Sequence, residues 1–155
     1  MQLSDIVFRN CILTDVQAAT KEEALRQIFE VLYREGKVRE TFYDAVLARE
    51  AEYPTGLALP GCNVAIPHVV PEHVKSSALG IAVLRNPVVF DRMDDQNLKV
   101  DVQVIFNIAL AKEDKQIETL QCLMSMVTNQ SVMEAVRKAG SPEEIESILR
   151  KAGSQ

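Results

Sequence analysis

The chain has two histidines, His68 and His73, so imidazole chemistry has few places to occur. His68 closes the run Val64-Ala65-Ile66-Pro67-His68, an apolar stretch that ends in an imidazole. A neutral imidazole is a good nucleophile and titrates near physiological pH. Pro67 disfavours helix at Ile66 and keeps the backbone extended up to the histidine. Upstream lie Arg49-Glu50 and Pro54-Thr55-Gly56-Leu57. Arginine grips a phosphoryl group through two parallel N–H bonds and keeps its charge at neutral pH. A threonine hydroxyl can donate to a phosphoryl oxygen. The set suits an anion-handling site. The competing reading is a loop histidine without a role, with Arg49 exposed on a helix or paired to a carboxylate. Glu50 would repel a phosphate if turned inward, so it is expected to orient a base or a guanidinium, or to face water. Gly56 and Gly61 would let backbone amides approach an anion, a weak signal in a loop.

Other chemistry-bearing residues are less persuasive. His73 follows His68 by five residues, but no third ligand is spaced for a metal. It is either a second imidazole near the site or an exposed loop residue. Cys62 lies near His68 in sequence, which raises a Cys–His nucleophilic pair, yet no orienting third group is visible. Met124, Met126 and Met133 fall in helical segments and read as packing.

The bulk properties narrow the function classes. With 155 residues the chain is long enough for one domain with its own core, taken here as 1–155. Hydrophobic residues make up 47% and charged residues 25%, as in a folded globular protein. A net charge of −5 disfavours general binding to nucleic acid or to an anionic membrane. The three cysteines are widely separated and form no C-x-x-C, so a reduced, cytoplasmic setting without structural zinc is expected. The first ten residues lack the apolar stretch of a signal peptide. No apolar run approaches the ~20 residues that cross a bilayer, so any membrane role would pass through a partner.

The elements that must position these residues can be read from pattern. Ile6–Leu13 reads as a first strand. Thr20-Lys21-Glu22-Glu23 is a capping box ahead of a helix with Leu25, Ile28, Phe29 and Leu32 on one face, and Gly36 suits its end. A second helix is expected over 40–52, with Arg49 near its C-terminus. Residues 53–63 carry Pro54, Gly56, Pro60 and Gly61 and read as a loop. Val64–Ile66, Ala78–Leu84 and Val100–Leu110 read as strands, separated by turns at Asn86-Pro87 and 91–97. Asp114, the box Ser131-Val132-Met133-Glu134 and the box Ser141-Pro142-Glu143-Glu144 each open a helix. The alternation predicts a single α/β domain, with a mixed, largely parallel β-sheet sandwiched between α-helices and a site at strand ends.

Arg49-Glu50, Pro54-Thr55-Gly56-Leu57, Gly61 and Val64-Ala65-Ile66-Pro67-His68, in that order, resemble the fructose/mannitol-type enzyme IIA domains of the bacterial sugar phosphotransferase system. The resemblance spans roughly Ile6 to Leu149. The Tyr-Pro-Thr-Gly-Leu wording, with a second histidine soon after the first, looks most like the galactitol-specific branch. The resemblance implies that His68 accepts a phosphoryl group from the carrier HPr, as a tele-phosphohistidine. It would pass the group to a cysteine of the cognate IIB, and the permease IIC would couple this to uptake. Arg49, Thr55 and Glu50 match the family's site positions. Mannitol-type members carry a second histidine where this chain has Gln116, which can donate a hydrogen bond but carries no proton or charge. Leu57, Leu59 and Val69 would supply apolar contacts for partners, with core packing as the alternative. No cofactor or metal is implied. Two other functions stay open: a regulatory protein like the nitrogen-related enzyme IIA, and a plain interaction domain.

Overall fold

The computed structural model describes residues 2–112 and 116–153. Its strands are β1 (Ile12–Val16), β2 (Gly56–Leu57), β3 (Val64–Ala65), β4 (Ala78–Asp91) and β5 (Lys99–Ala109). Its helices are α1 (Lys21–Arg34), α2 (Phe42–Glu52), α3 (Gln116–Val127), α4 (Gln130–Lys138) and α5 (Pro142–Gly153). The strands form one mixed sheet in the order β1-β4-β5-β3-β2. β1 runs parallel to β4 and β3 parallel to β5, while β4–β5 and β2–β3 are antiparallel. Helices cover both faces. Phe29, Phe42 and Val46 pack with Phe90 and Ile105 on one side. Leu123, Val136 and Ile145 pack with Leu79 and Phe106 on the other.

Several boundaries follow from identifiable local chemistry. The Thr20 hydroxyl accepts the Glu23 amide at 3.2 Å, while the Glu23 carboxylate reaches back to the Ala19 amide at 2.8 Å. Gly36 takes φ +72° just past α1, where a side chain would be strained. The Ser141 hydroxyl accepts the Glu144 amide at 3.2 Å, with Pro142 as the first helical residue of α5. Asp114 lies outside the described residues.

Three expectations are corrected. Ile6–Leu13 is not a strand: Leu3–Ile6 and Arg9–Cys11 form 3-10 turns, and the strand begins at Ile12. Local bonds win there, with the Gln2 amide donating to Asp5 Oδ2 at 2.8 Å and the Cys11 amide to the Phe8 carbonyl at 2.9 Å. Asn86-Pro87 is not a turn but a bulge inside β4. Between the pairs Val83↔Val104 and Val88↔Val102, four residues of β4 (84–87) oppose the single residue Gln103. Pro87, which has no amide to donate, is tolerated at that irregularity. Finally, α4 is capped by Asn129, whose Oδ1 accepts the Val132 amide at 3.3 Å, so Ser131 lies inside the first turn.

α1 sits close on β4 because Gly80 has no side chain. A Cβ there would lie 2.5 Å from Ile28 Cγ2 and 3.1 Å from Leu32 Cδ1. The G80A variant should therefore lose about 1–3 kcal/mol through overpacking. The measurement is urea unfolding, where the midpoint should fall at unchanged slope; an unchanged midpoint would show that the contact can relax.

Candidate functional site

The sheet carries His68 to its position through β5. β3 pairs with Val104 and Ile105, and the extended chain continues alongside, the Ile108 amide donating to the Pro67 carbonyl at 2.8 Å. A bridge between His68 and Ile108 ends this contact. His68 Nδ1 lies 3.0 Å from the Ile66 carbonyl oxygen. A carbonyl only accepts, so Nδ1 bears the proton, and the neutral ring has its lone pair on Nε2. Burial pushes the His68 pKa below its ordinary value; the bond to Ile66 partly opposes this, and the positive charge of Arg49 adds to it. The neutral, nucleophilic form is thus favoured at neutral pH.

Arg49 follows Phe42 and Val46 at helical spacing, so it shares the buried face of α2. Its guanidinium lies over the Tyr53 ring, 4.9 Å from the centroid. Its Nε is buried without a hydrogen-bond partner. Among the described residues no carboxylate pairs with it. A cation lacking an anionic partner, close enough to affect a neutral imidazole, is suited to receive an anion.

Glu50 and Thr55 behave differently from expectation. Glu50 is 2% exposed, so it does not face water, and among the described residues it bonds no imidazole or guanidinium. Its Oε2 accepts the Thr55 amide and its Oε1 the Thr55 hydroxyl, both at 2.8 Å. The Thr55 hydrogen is therefore committed to Glu50 rather than free for a phosphoryl oxygen. Burial raises the Glu50 pKa, and the two Thr55 donations oppose that rise. Together the pair closes the loop after α2, and the Thr55 carbonyl accepts the Ile66 amide at 3.3 Å, which ties that loop to the strand leading to His68.

Gln116 is the first residue of α3 and half-buried, with no hydrogen bond to His68 among the described residues. His73 is turned elsewhere, its Nδ1 2.8 Å from the Thr41 hydroxyl at the start of α2. Arg49 sits near the other end of that helix, about 12 Å along its axis at 1.5 Å per residue. Among the described residues no three His, Cys, Asp or Glu side chains cluster as metal ligands. Cys62 is buried in the core and its thiol is pushed up to about 11, mainly by burial. It is a poor thiolate and no partner for His68.

Val69 is core, and Leu57 and Leu59 pack on core as well. Among the exposed apolar side chains, Tyr53 (55%), Val70 (43%) and Ile117 (71%) are sequence neighbours of Thr55, His68 and Gln116. A groove of about 750 Å³ lies elsewhere, between α3, α4 and α5, bordered by Met126, Val132 and Ile148. Sequence reasoning missed Asn107, 1% exposed on β5, whose Oδ1 has no partner. Its signal was an amide inside the apolar run Val104-Ile105-Phe106-Asn107-Ile108-Ala109. An unsatisfied buried polar atom costs about 1–3 kcal/mol, so it calls for a reason.

An extended strand end with a neutral imidazole and a nearby arginine that lacks an anionic partner makes a site suited to an anion on an α/β domain. Residues 5–152 match the family described as the phosphoenolpyruvate-dependent sugar phosphotransferase system, EIIA 2, and the chain belongs to that family. It is 34% identical over 127 residues to the galactitol-specific EIIA component of Escherichia coli, covering 81% of this chain and 83% of the relative. It is 29% identical over 156 residues to the nitrogen regulatory protein of Klebsiella oxytoca, covering 99% and 93%. In structure it is similar to a chain of the Escherichia coli complex of enzyme IIAMTL and phosphorylated enzyme IIBMTL, with TM-score 0.75, 25% identity, and coverage of 94% of this chain and 99% of that one. The expected family and the α/β fold with a mixed sheet are thus both borne out. No described helix is long and apolar enough to cross a membrane.

Two outcomes follow from this geometry. The His68 ring should titrate with a midpoint below 6.5 by proton NMR, and R49A should raise it by removing a repelling charge. Because the folded value is depressed, the unfolded chain binds more protons between the two values, so this contribution to stability is lost as pH falls through the folded pKa. A midpoint at or above 6.5 would contradict the burial account. Separately, T55V should cost about 1–3 kcal/mol by leaving the Glu50 Oε1 atom buried without a donor. Denaturant unfolding measures this, and T55S should recover most of the loss.

Proposed function

We propose that the chain, as a single 1–155 enzyme IIA domain, carries a phosphoryl group on His68 in the uptake of a sugar or sugar alcohol of galactitol type. The observation that carries this reading is the bond from His68 Nδ1 to the Ile66 carbonyl, 3.0 Å long, which leaves Nε2 as the nucleophile beside Arg49. In the loading step the Nε2 lone pair attacks the phosphorus of phospho-HPr. A new N–P bond forms, the N–P bond of the donor imidazole breaks, and its electron pair returns to the donor nitrogen. In the unloading step a cysteine thiolate of the cognate IIB forms an S–P bond, and the electron pair of the broken N–P bond returns to Nε2. Nδ1 keeps its proton throughout, donated to the Ile66 carbonyl.

Arg49 neutralises charge on the transferred group. Glu50 and Thr55 fix the loop that follows Arg49. Gln116 offers an amide donor and no proton. Tyr53, Val70 and Ile117 give the two protein partners apolar contacts, suited to small transient interfaces. The permease IIC takes part indirectly, and the setting is cytoplasmic. Both donor and acceptor are protein side chains, so the electron and atom balance needs no metal or nucleotide.

A second reading is favoured by the nitrogen regulatory likeness, which extends over 99% of the chain. There His68 would still be phosphorylated, and its state would control binding to other proteins. Incubation with enzyme I, HPr and labelled phosphoenolpyruvate should put acid-labile label on the wild type and none on H68A. Unlabelled wild type, or label unchanged in H68A, would overturn the phosphohistidine. Onward transfer to a galactitol-type IIB separates the readings: the relay requires it, and labelled protein that transfers to no IIB supports the regulatory one.

A further inference from the structure

Two buried side-chain atoms among the described residues lack hydrogen-bond partners, Arg49 Nε and Asn107 Oδ1. One is a donor and the other an acceptor. They also belong to the same layer of the molecule. Along β5, Ile105 and Ala109 join the core beneath α1 and α2, whereas Phe106 and Ile108 join the opposite core. The two-residue alternation of a strand therefore places Asn107 on the α1/α2 side. On α2, Phe42 and Val46 enter that same core, and Arg49 shares their face. Asn107 adjoins Ile108, the residue bridged to His68, and the charge of Arg49 is felt at His68. Donor and acceptor thus share the layer between the sheet and the α1/α2 helices, and both belong to elements that border the His68 segment.

We propose that Asn107 is a positioning residue of the site: its Oδ1 takes the Arg49 Nε–H once the terminal nitrogens of the guanidinium hold a phosphoryl group on His68. The inference rests on the phosphohistidine reading and extends it to a residue on β5. In the unloaded chain the guanidinium rests on the Tyr53 ring and Nε–H has no acceptor. A guanidinium that grips a phosphoryl group with its two terminal nitrogens leaves Nε–H directed sideways in the guanidinium plane, away from that group. Because Nε is buried, a protein acceptor must meet it, and among the described residues Asn107 Oδ1 is the buried side-chain acceptor without a partner. Two open valences in the empty state become one closed bond in the loaded state. The arrangement biases Arg49 toward the phosphoryl group only when that group is present.

The test uses the full chain labelled with nitrogen-15 and phosphorylated by enzyme I, HPr and phosphoenolpyruvate. The Arg49 Nε–H signal, assigned by its absence in R49K, should shift on phosphorylation, and its exchange with water should slow several-fold. In N107L, once phosphorylated, both changes should be absent, whereas N107D, which keeps an acceptor oxygen, should retain the slowed exchange. An Arg49 Nε–H signal that stays put in phosphorylated wild type, or that responds equally in N107L, overturns the role of Asn107 and leaves the relay intact. Phosphorus NMR of the same sample reports the phosphohistidine itself, and its absence from wild type overturns both. If N107L fails to fold, N107A takes its place, with the same two outcomes.

Discussion

The antiparallel pairing of β4 with β5 is the constraint on which the rest of the molecule is assembled. It runs from Ala78↔Ala109 to Asp91↔Lys99 and supplies the centre of the sheet. α1 is seated on it at Gly80, β3 is paired along it at Val104 and Ile105, and the loop at Gly56 is pressed against its far end at Phe90 and Asp91. The histidine segment has little secondary structure of its own, since β3 comprises only Val64–Ala65. Its placement is borrowed from β5. An isolated segment so short could not hold an imidazole in register, whereas a segment laid against a central strand inherits that strand's rigidity.

The electrostatics of the site depend on separating two jobs that a quick reading assigns to one cluster. Arg49 and Glu50 are adjacent and of opposite charge, yet they do not neutralise each other. Glu50 is fully occupied by the backbone and hydroxyl of Thr55. That leaves the positive charge of Arg49 available to a ligand while the carboxylate does structural work a short distance away. A salt bridge between them would have filled the site with its own counter-ion. Thr55 acts as the insulator, absorbing the acceptor capacity of Glu50.

Much of this was legible in the residues, and the misses have specific causes. His68 at the end of an extended run, Arg49 near a helix end and helices on both faces all followed from periodicity and proline placement. The first strand was misread because Ile6 and Val7 are apolar and β-branched, while the Gln2–Asp5 turn that captures them depends on side-chain bonds that a hydropathy pattern does not register. Asn86-Pro87 has the composition of a turn, and only the pairing partner reveals a bulge. The commitments of Thr55 and Glu50 were illegible for a similar reason: a residue type states what a side chain can bond, and tertiary placement decides which bond it makes. Asn107 was visible in the sequence as an amide among aliphatic residues, but its meaning needed the knowledge that Arg49 shares its layer.

The bond between His68 Nδ1 and the Ile66 carbonyl has a consequence for the reorganisation of the site. On the relay proposed for His68, the free and the phosphorylated ring would both carry a proton on Nδ1, so the same anchor would serve either form. The imidazole need not turn, change tautomer or exchange a proton with solvent as the group arrives and leaves. The barrier to each hop is then set by motions of the visiting partner and of the charge around the phosphorus, with the carrier itself standing still. A carrier of that kind would impose no direction of its own, so the net direction of flow would belong to the relative phosphoryl potentials of its two partners.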